Sequence, residues 1–248
     1  MILETGVVSK PFHSNQHFAS TIQKWNGLLD SEENFKKHCE NINTYKKLEN
    51  LGWIGVDLIY KFNSEGFRDD KFDQQPAGLA LGCSHTQGTG IQSIDTWPKQ
   101  LEKILDLKIW NLGVGAASLD TCYRLLDYWI ENLNIKFVVC AVPNMYRYEI
   151  FVGRWMNVLV NNPLTIPNWL DGYQKNYVTY EQHSELNRRK NLLSMENTCN
   201  KHNVPFYYDL LEDFVDGSNA RDLLHCGPSA NHKLAKKFVN IINIQGNI

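Results

Sequence analysis

From about residue 77 onward, apolar runs alternate with polar, glycine-bearing breaks, and this alternation predicts most of the secondary structure. Ala77 to Leu81 is a short apolar run halted at Gly82, which predicts a buried strand ending in a tight polar turn. Trp97, Leu101, Ile104 and Leu105 share one helical face, with Asp95 or Thr96 as the cap and Pro98 in the first turn. Leu107 to Leu112 predicts a second strand closing on Gly113-Val114-Gly115. Ser118 is expected to cap the next helix, in which Leu119, Cys122, Tyr123, Leu126, Trp129, Ile130 and Leu133 recur at helical spacing. Ile135 to Val142 reads as a strand buried on both faces. The rhythm resumes with a polar helix from about Glu181 to His202, a strand from Pro205 to Leu210, and a final helix from Ser229. That last helix buries Leu234, Phe238, Ile241 and Ile242. Strands alternating with helices predict a parallel sheet covered on both faces.

Two segments stand outside that pattern. Residues 1–60 carry amphipathic helical stretches at Phe18 to Leu29 and Ser31 to Asn50, then a glycine-bounded Trp53-Ile54. They are expected to form an N-terminal helical appendage, packed on the core or binding a partner, with residues 61–248 as the α/β domain. Lys61 to Asp70 is expected to be an extended edge segment with a turn. Residues 146–180 interleave Tyr146, Tyr148, Phe151, Trp155, Trp169, Tyr173, Tyr177 and Tyr180 with Pro163 and Pro167. Such an irregular insertion after a sheet strand is expected to serve as a lid or binding wall, or to pack against the appendage. Within it, Arg147 and Glu149 read either as substrate contacts or as a surface ion pair.

Composition narrows the class. The 248 residues suffice for one large domain with a sizeable core, and 43% hydrophobic with 21% charged residues is ordinary for a soluble globular protein. A net charge of -2 offers no electrostatic basis for nucleic acid or an anionic membrane as a partner. Residues 1 to 14 lack the basic start and apolar run of a secretory signal, and Phe137 to Pro143 is far too short to span a bilayer. The six scattered cysteines, with no CxxC pair, read as reduced thiols of a cytoplasmic protein, with disulfides left open.

The chemistry concentrates at two places. Gly82-Cys83-Ser84-His85-Thr86-Gln87-Gly88 follows the first strand, at the strand end where parallel sheets bind ligands, and presents Ser84 at its tip. Asp222-Leu223-Leu224-His225 sets a carboxylate three residues from an imidazole. The carboxylate can then hold one ring nitrogen while the other faces a nucleophile. The bland alternatives are a capping serine in an ordinary turn and a surface Asp–His pair. Cys83, His85, His225 and Cys226 are metal-ligand types, but strand alternation points Cys83 into the core and no pair has zinc spacing. No metal and no cofactor are expected. Thr86 excludes the Gly-x-Ser-x-Gly elbow of an α/β-hydrolase.

In order along the chain, Gly82 to Gly88, Asn111-Leu112-Gly113-Val114-Gly115-Ala116, Pro143-Asn144 and Asp222-x-x-His225 resemble the blocks of the SGNH hydrolases, or GDSL esterase/lipase family. The resemblance covers roughly residues 62–243. It implies a three-layer α/β/α sandwich with a flavodoxin-like parallel sheet. It also implies a serine esterase with Ser84 as nucleophile, His225 as base and Asp222 as its orienting carboxylate. The implied oxyanion hole comprises the backbone N–H of Ser84, that of Gly115 and the amide of Asn144. The sequence departs from the pattern at Cys83 where the family has Asp. Its second block is one glycine short, so that Ala116 competes with Gly115, and Val142 and Met145 flank Asn144 in place of Gly and Asp. The implied substrate is a small-molecule or carbohydrate ester, and a candidate pocket wall of polar aromatics with no long aliphatic stripe leads us to expect a short acyl chain. The rate is expected to rise with pH as His225 becomes the free base. An O-acetyltransferase acting on a sugar and a non-catalytic SGNH-like binding or assembly module are the alternatives.

Overall fold

The structure, a computed structural model, describes residues 13–27, 29–151, 155–159, 181–211 and 217–245. After a 3-10 turn at Ser14–Phe18 come β1 (Ile22–Gln23), α1 (Glu32–Glu40), α2 (Ile42–Asn50), β2 (Tyr60–Lys61), β3 (Ala77–Leu81) and the helical turn α3 (Ser84–Gln87). Then follow α4 (Trp97–Leu105), β4 (Ile109–Asn111), α5 (Leu119–Asn132), β5 (Ile135–Val142), β6 (Arg147–Phe151) and β7 (Trp155–Leu159). The chain continues with α6 (Glu181–Lys201), β8 (Phe206–Leu210) and α7 (Pro228–Gln245).

The central sheet is parallel throughout, in the order β4-β3-β5-β8. From β3 the chain crosses outward to β4, and every later crossover runs the other way. Right-handed connections then put α4 on one face and α5 and α6 on the other. Packing agrees, since α4 lies against α7 and α5 against α6. Connections therefore leave the neighbouring strands β3 and β5 in opposite directions. That arrangement opens a crevice at their carboxyl ends, the position where such sheets bind ligands. Gly78 is needed within β3, because a Cβ there would lie 2.6 Å from the Phe137 ring and 2.7 Å from Ile109.

Local chemistry sets the helix ends near the crevice. Ser118 and Thr121 form a reciprocal cap at the start of α5, which satisfies amides the first turn leaves open. Pro98 sits in the first turn of α4, and Asp106 ends that helix in a left-handed conformation. That reversal delays the second strand to Ile109, so Leu107 and Lys108 stay outside it.

The N-terminal segment departs from expectation. Phe18 to Leu29 is not a helix, because Ser20 (φ 58°) and Gly27 (φ 90°) take left-handed backbone that interrupts any helical run. Its apolar side chains share no buried face: Phe18 stacks on Phe62 with ring centroids 4.9 Å apart, whereas Ile22 is exposed in β1, which pairs antiparallel with β2. The charged stretch after it splits at Asn41, whose extended backbone ends α1 while its side chain accepts from the N–H groups of Asn43 and Thr44 to start α2. Leu48, Trp53, Leu58, Tyr60 and Phe62 form a second core that also contains Ile91 and Ala220, so this layer packs on two loops of the α/β domain.

The described start of the 146–180 insertion is regular, an antiparallel hairpin of β6 and β7. The lid reading for the remainder, with Trp169, Tyr173, Tyr177 and Tyr180, lies outside the described residues. Among the described residues, no helix is long and apolar enough to cross a membrane.

Candidate active site

Ser84 opens α3 directly after β3. Gly82 makes this possible, since a Cβ there would come within 2.1 Å of Thr86 Oγ1 and 3.0 Å of the Ala141 carbonyl on the adjacent strand. The turn is closed by Thr86 and Gln87 N–H groups donating to the Cys83 carbonyl (2.9 and 3.0 Å) and by Gly88 and Thr89 N–H groups donating to that of Ser84 (2.9 and 3.0 Å). Cys83 points into the core and is fully buried, leaving Ser84 on the crevice side. Trp97 Nε1 donates to Thr86 Oγ1 at 3.2 Å and braces the turn from α4.

The second functional loop runs from Ser218 to Gly227 and is tied across its neck. The Ala220 N–H donates to the His225 carbonyl (2.9 Å) and the Gly227 N–H to that of Ser218 (3.0 Å). The tip turns through Leu223 at φ 60°, a left-handed conformation uncommon for a branched residue. Asp222 Oδ1 accepts from the N–H groups of Leu224 (3.1 Å) and His225 (3.0 Å), and its Oδ2 accepts from His225 Nδ1 in a short hydrogen bond. An ionised carboxylate is only an acceptor, so Nδ1 carries the ring proton and Nε2 is left as a base. Nε2 lies 2.7 Å from Ser84 Oγ, in position to accept from the hydroxyl. Burial pushes the Asp222 pKa up, but the hydrogen bond and charge of His225 and the two backbone donors outweigh it and hold the group below its ordinary value. Thus Ser84, His225 and Asp222, separated by up to 141 positions, form one buried relay.

The loop after β4 lies against the serine turn. A Cβ at Gly113 would meet Gln87 N at 2.2 Å, while Asn111 Nδ2 donates to the Thr86 carbonyl at 2.8 Å and its Oδ1 accepts from Gly113 N–H at 2.9 Å. Gly115 follows, with its carbonyl accepting from Ser14 Oγ at 3.2 Å, and Ala116 takes φ 61°. Asn144 is half-buried after β5, and its Oδ1 accepts from the Tyr146 N–H at 2.9 Å. Gly115 and Asn144 therefore both lie on loops at the carboxyl ends of the strands flanking or bordering β3. As the first residue of α3, Ser84 has an amide with no acceptor inside its own helix.

His85 is the neighbour that the sequence offered only as a metal-ligand type. Its ring centroid is 4.7 Å from that of His225, and its Nδ1 accepts from the Cys226 N–H at 3.4 Å. Burial, reinforced by the charges of His225 and Arg147 and opposed by Asp222, lowers its pKa to about 3, so it is a neutral ring. Among the described residues, no group of three or more His, Cys, Asp or Glu side chains could hold a metal ion.

The expected Arg147–Glu149 surface pair is not formed. Glu149 is buried and paired with Arg124, through Nε at 2.9 Å and Nη2 at 2.7 Å, and accepts from Thr121 Oγ1 at 3.1 Å. Sequence reasoning also missed a buried network that joins the N-terminal layer to the site. Arg221, adjacent to Asp222, donates to Asp30 through Nε (2.9 Å) and Nη2 (2.7 Å) and to the Lys24 carbonyl (2.8 Å). It also stacks 4.0 Å from the Trp25 ring. The Tyr60 hydroxyl donates to Asp30 in a short hydrogen bond and accepts from Gly90 N–H at 2.7 Å. Arg68 lies over the Tyr60 ring and donates to the carbonyls of Gly88 and Ile91 in the loop beyond Ser84. The available signal was Asn63-Ser64-Glu65-Gly66-Phe67-Arg68, which reads as an edge segment and instead delivers a buried guanidinium. A cavity of about 390 Å³ lined by Lys24, Trp25, Phe35, Asp57 and Arg221 belongs to the N-terminal layer, and neither Ser84 nor His225 lines it.

Neither a protein-family model nor a curated protein matches the chain. Among solved structures, TesA is similar at 13% identity and a TM-score of 0.46, over 67% of this chain and 97% of that one. The psychrotrophic esterase EstA from Pseudoalteromonas sp. is 15% identical with a TM-score of 0.39, over 69% of this chain and 99% of its own. A Clostridium thermocellum family 3 carbohydrate esterase is 12% identical with a TM-score of 0.38, over 69% and 99%.

Proposed function

We propose that this chain is a serine esterase of the SGNH type, cleaving short-acyl esters of small molecules or carbohydrates. The observation that carries the reading is the relay from Asp222 through His225 Nδ1 and Nε2 to Ser84 Oγ. In this mechanism Ser84 Oγ attacks the ester carbonyl as its proton passes to His225 Nε2. Asp222, held ionised below its ordinary pKa, fixes the ring tautomer and stabilises the imidazolium. Collapse of the tetrahedral intermediate returns that proton to the leaving alcohol, and water repeats the cycle on the acyl-enzyme. The oxyanion would be met by the N–H groups of Ser84 and Gly115 and the Asn144 amide, and removal of one such donor typically costs about 2.7–4 kcal/mol of transition-state stabilisation.

The test is covalent. A fluorophosphonate probe is expected to label Ser84, and Ser84→Ala is expected to abolish both labelling and hydrolysis of p-nitrophenyl acetate. Full activity in Ser84→Ala would remove the mechanism. Adding sugar acceptors to the same assay separates hydrolysis from acyl transfer, and an acyl series from acetyl to palmitoyl tests the short-chain preference.

A further inference from the structure

Arg147 opens β6 immediately beyond the loop that leaves the carboxyl end of β5, and its own N–H donates to the Asn144 carbonyl at 3.2 Å. It therefore belongs to the same rim of the crevice as the candidate oxyanion amide. Its Nη1 is buried and has no hydrogen-bond partner among the described residues. The nearby carboxylates are engaged elsewhere. Glu149 is held by Arg124, Asp222 by His225, and Asp120 by the Glu149 N–H and Asn191. Arg147 as a whole is half-buried. A guanidinium does not shed its proton in a protein, and a buried N–H group of it left without an acceptor is costly. Its planar fork fits a carboxylate, or a comparable oxyanion, through two parallel hydrogen bonds. The charge also reaches the catalytic centre, since Arg147 is one of the groups holding down the pKa of His85, whose ring abuts that of His225.

On the esterase reading of Ser84 and His225, we propose that Arg147 is an anion receptor at the scissile bond. The substrates are then esters that carry a carboxylate or similar anion beside the reacting carbonyl. The anion can belong to the acyl group or to the alcohol, and the two sources are separable. p-Nitrophenyl hemisuccinate differs from p-nitrophenyl butyrate by a carboxylate in place of a terminal methyl, which reads the acyl side. Acetoxyacetate differs from ethyl acetate in the same way on the alcohol side.

The wild type is expected to favour the anionic member of one pair by roughly 10- to 100-fold in kcat/KM, the range of one or two charge-assisted hydrogen bonds. Arg147→Gln is expected to erase that ratio and Arg147→Lys to restore part of it. Taking ratios within a pair cancels any general effect of the substitution on His225. Wild-type ratios near one in both pairs, or ratios unchanged by Arg147→Gln, overturn the proposal. Calorimetry on Ser84→Ala, with monomethyl succinate and acetoxyacetate as ligands, gives a readout independent of turnover. Binding of at least one that disappears in Ser84→Ala/Arg147→Gln supports the receptor, and binding indifferent to Arg147, or absent, overturns it. A protein that hydrolyses none of the esters and leaves Ser84 unlabelled by fluorophosphonate loses the esterase reading, and calorimetry alone then decides Arg147.

Discussion

At the scale of single residues, the site depends on which nitrogen of His225 carries the proton. Asp222 decides that by accepting from Nδ1, and its depressed pKa keeps it an acceptor through the mildly acidic range. Asp222→Asn presents an amide that can donate to Nδ1 and so favours the opposite tautomer, with the proton on Nε2 facing Ser84. The expected loss in kcat is roughly 10³- to 10⁴-fold, the scale seen when a triad carboxylate becomes an amide. Steady-state kinetics with p-nitrophenyl acetate checks this, and a variant within a few-fold of wild type would show that Asp222 does not orient the ring. Ser84, Asp222 and His225 were legible in the sequence because each lies in a short local pattern, a glycine turn after an apolar strand and an Asp-x-x-His loop. Arg147 was legible as a substrate contact or as half of a surface ion pair with Glu149. That its Nη1 has no partner among the described residues could not be foreseen, because Glu149 two residues away offered an obvious one and the competing Arg124 sits on a helix distant in sequence.

At the scale of elements, β3, β5, α4 and α5 followed their hydrophobic periods because each buries an apolar face or stripe of its own, whereas α6 buries Ser184, Asn187 and Asn191 beside Met195 and Cys199. Ala77–Leu81 and Ile135–Val142 have the bounds their apolar runs imply. The segment from Phe18 to Leu29 failed because its apolar residues are not a stripe. Phe18 and Trp25 are single anchors, on Phe62 and Arg221, while Ile22 is exposed, and periodicity cannot distinguish such a segment from a striped helix. That segment delivers Asp30 to Arg221, one residue before Asp222, so the N-terminal layer braces the His225 loop through a buried ion pair whose side chains are almost wholly inaccessible. Asp30→Ala leaves the Arg221 charge buried and unpaired, and it is expected to destabilise the fold by roughly 3–5 kcal/mol. Replacing both partners, as Asp30→Leu with Arg221→Met, is expected to recover much of that loss, because desolvating the pair cancels most of its attraction. Urea unfolding of the wild type, the single and the double variant measures it. A single variant as stable as the wild type would mean that the layer is not fastened through this pair.

At the scale of the whole molecule, the fold holds two imidazoles in their neutral form, and this sets its response to acid. His13 is buried against Phe67, with rings 4.2 Å apart. Its Nε2 donates to the Glu65 carbonyl at 2.9 Å, and its Nδ1 is buried without a hydrogen-bond partner among the described residues. Burial lowers its pKa to about 4, against the pull of the Glu65 carbonyl and with help from the charges of Arg124 and His17. His85 is lowered to about 3. In the unfolded chain both titrate near 6.5, so below that pH the unfolded state binds protons that the folded state refuses. Stability is then unaffected by these two groups above about pH 6.5. Below it, stability falls by about 1.4 kcal/mol per pH unit for each histidine, until the folded groups titrate in turn. Together they amount to about 2.7 kcal/mol per unit between roughly pH 6 and 4, against a total stability typically of only about 5–15 kcal/mol. Asp222 adds to the loss only at lower pH. Its folded pKa is depressed, so its contribution is complete above the ordinary carboxylate value and disappears as pH falls through the lowered one. Acid sensitivity should therefore set in below about pH 6.5 and be steepest between roughly pH 6 and 4; below that, His13 titrates in the folded state and its share is lost, with Asp222 taking its place. His13→Leu removes one of the two shares and should roughly halve the slope of unfolding free energy between pH 6 and 4.5, whatever it does to stability at pH 7. Urea denaturation across that range in the wild type and the variant decides it. Parallel lines for the two proteins would mean that His13 is not kept neutral by the fold.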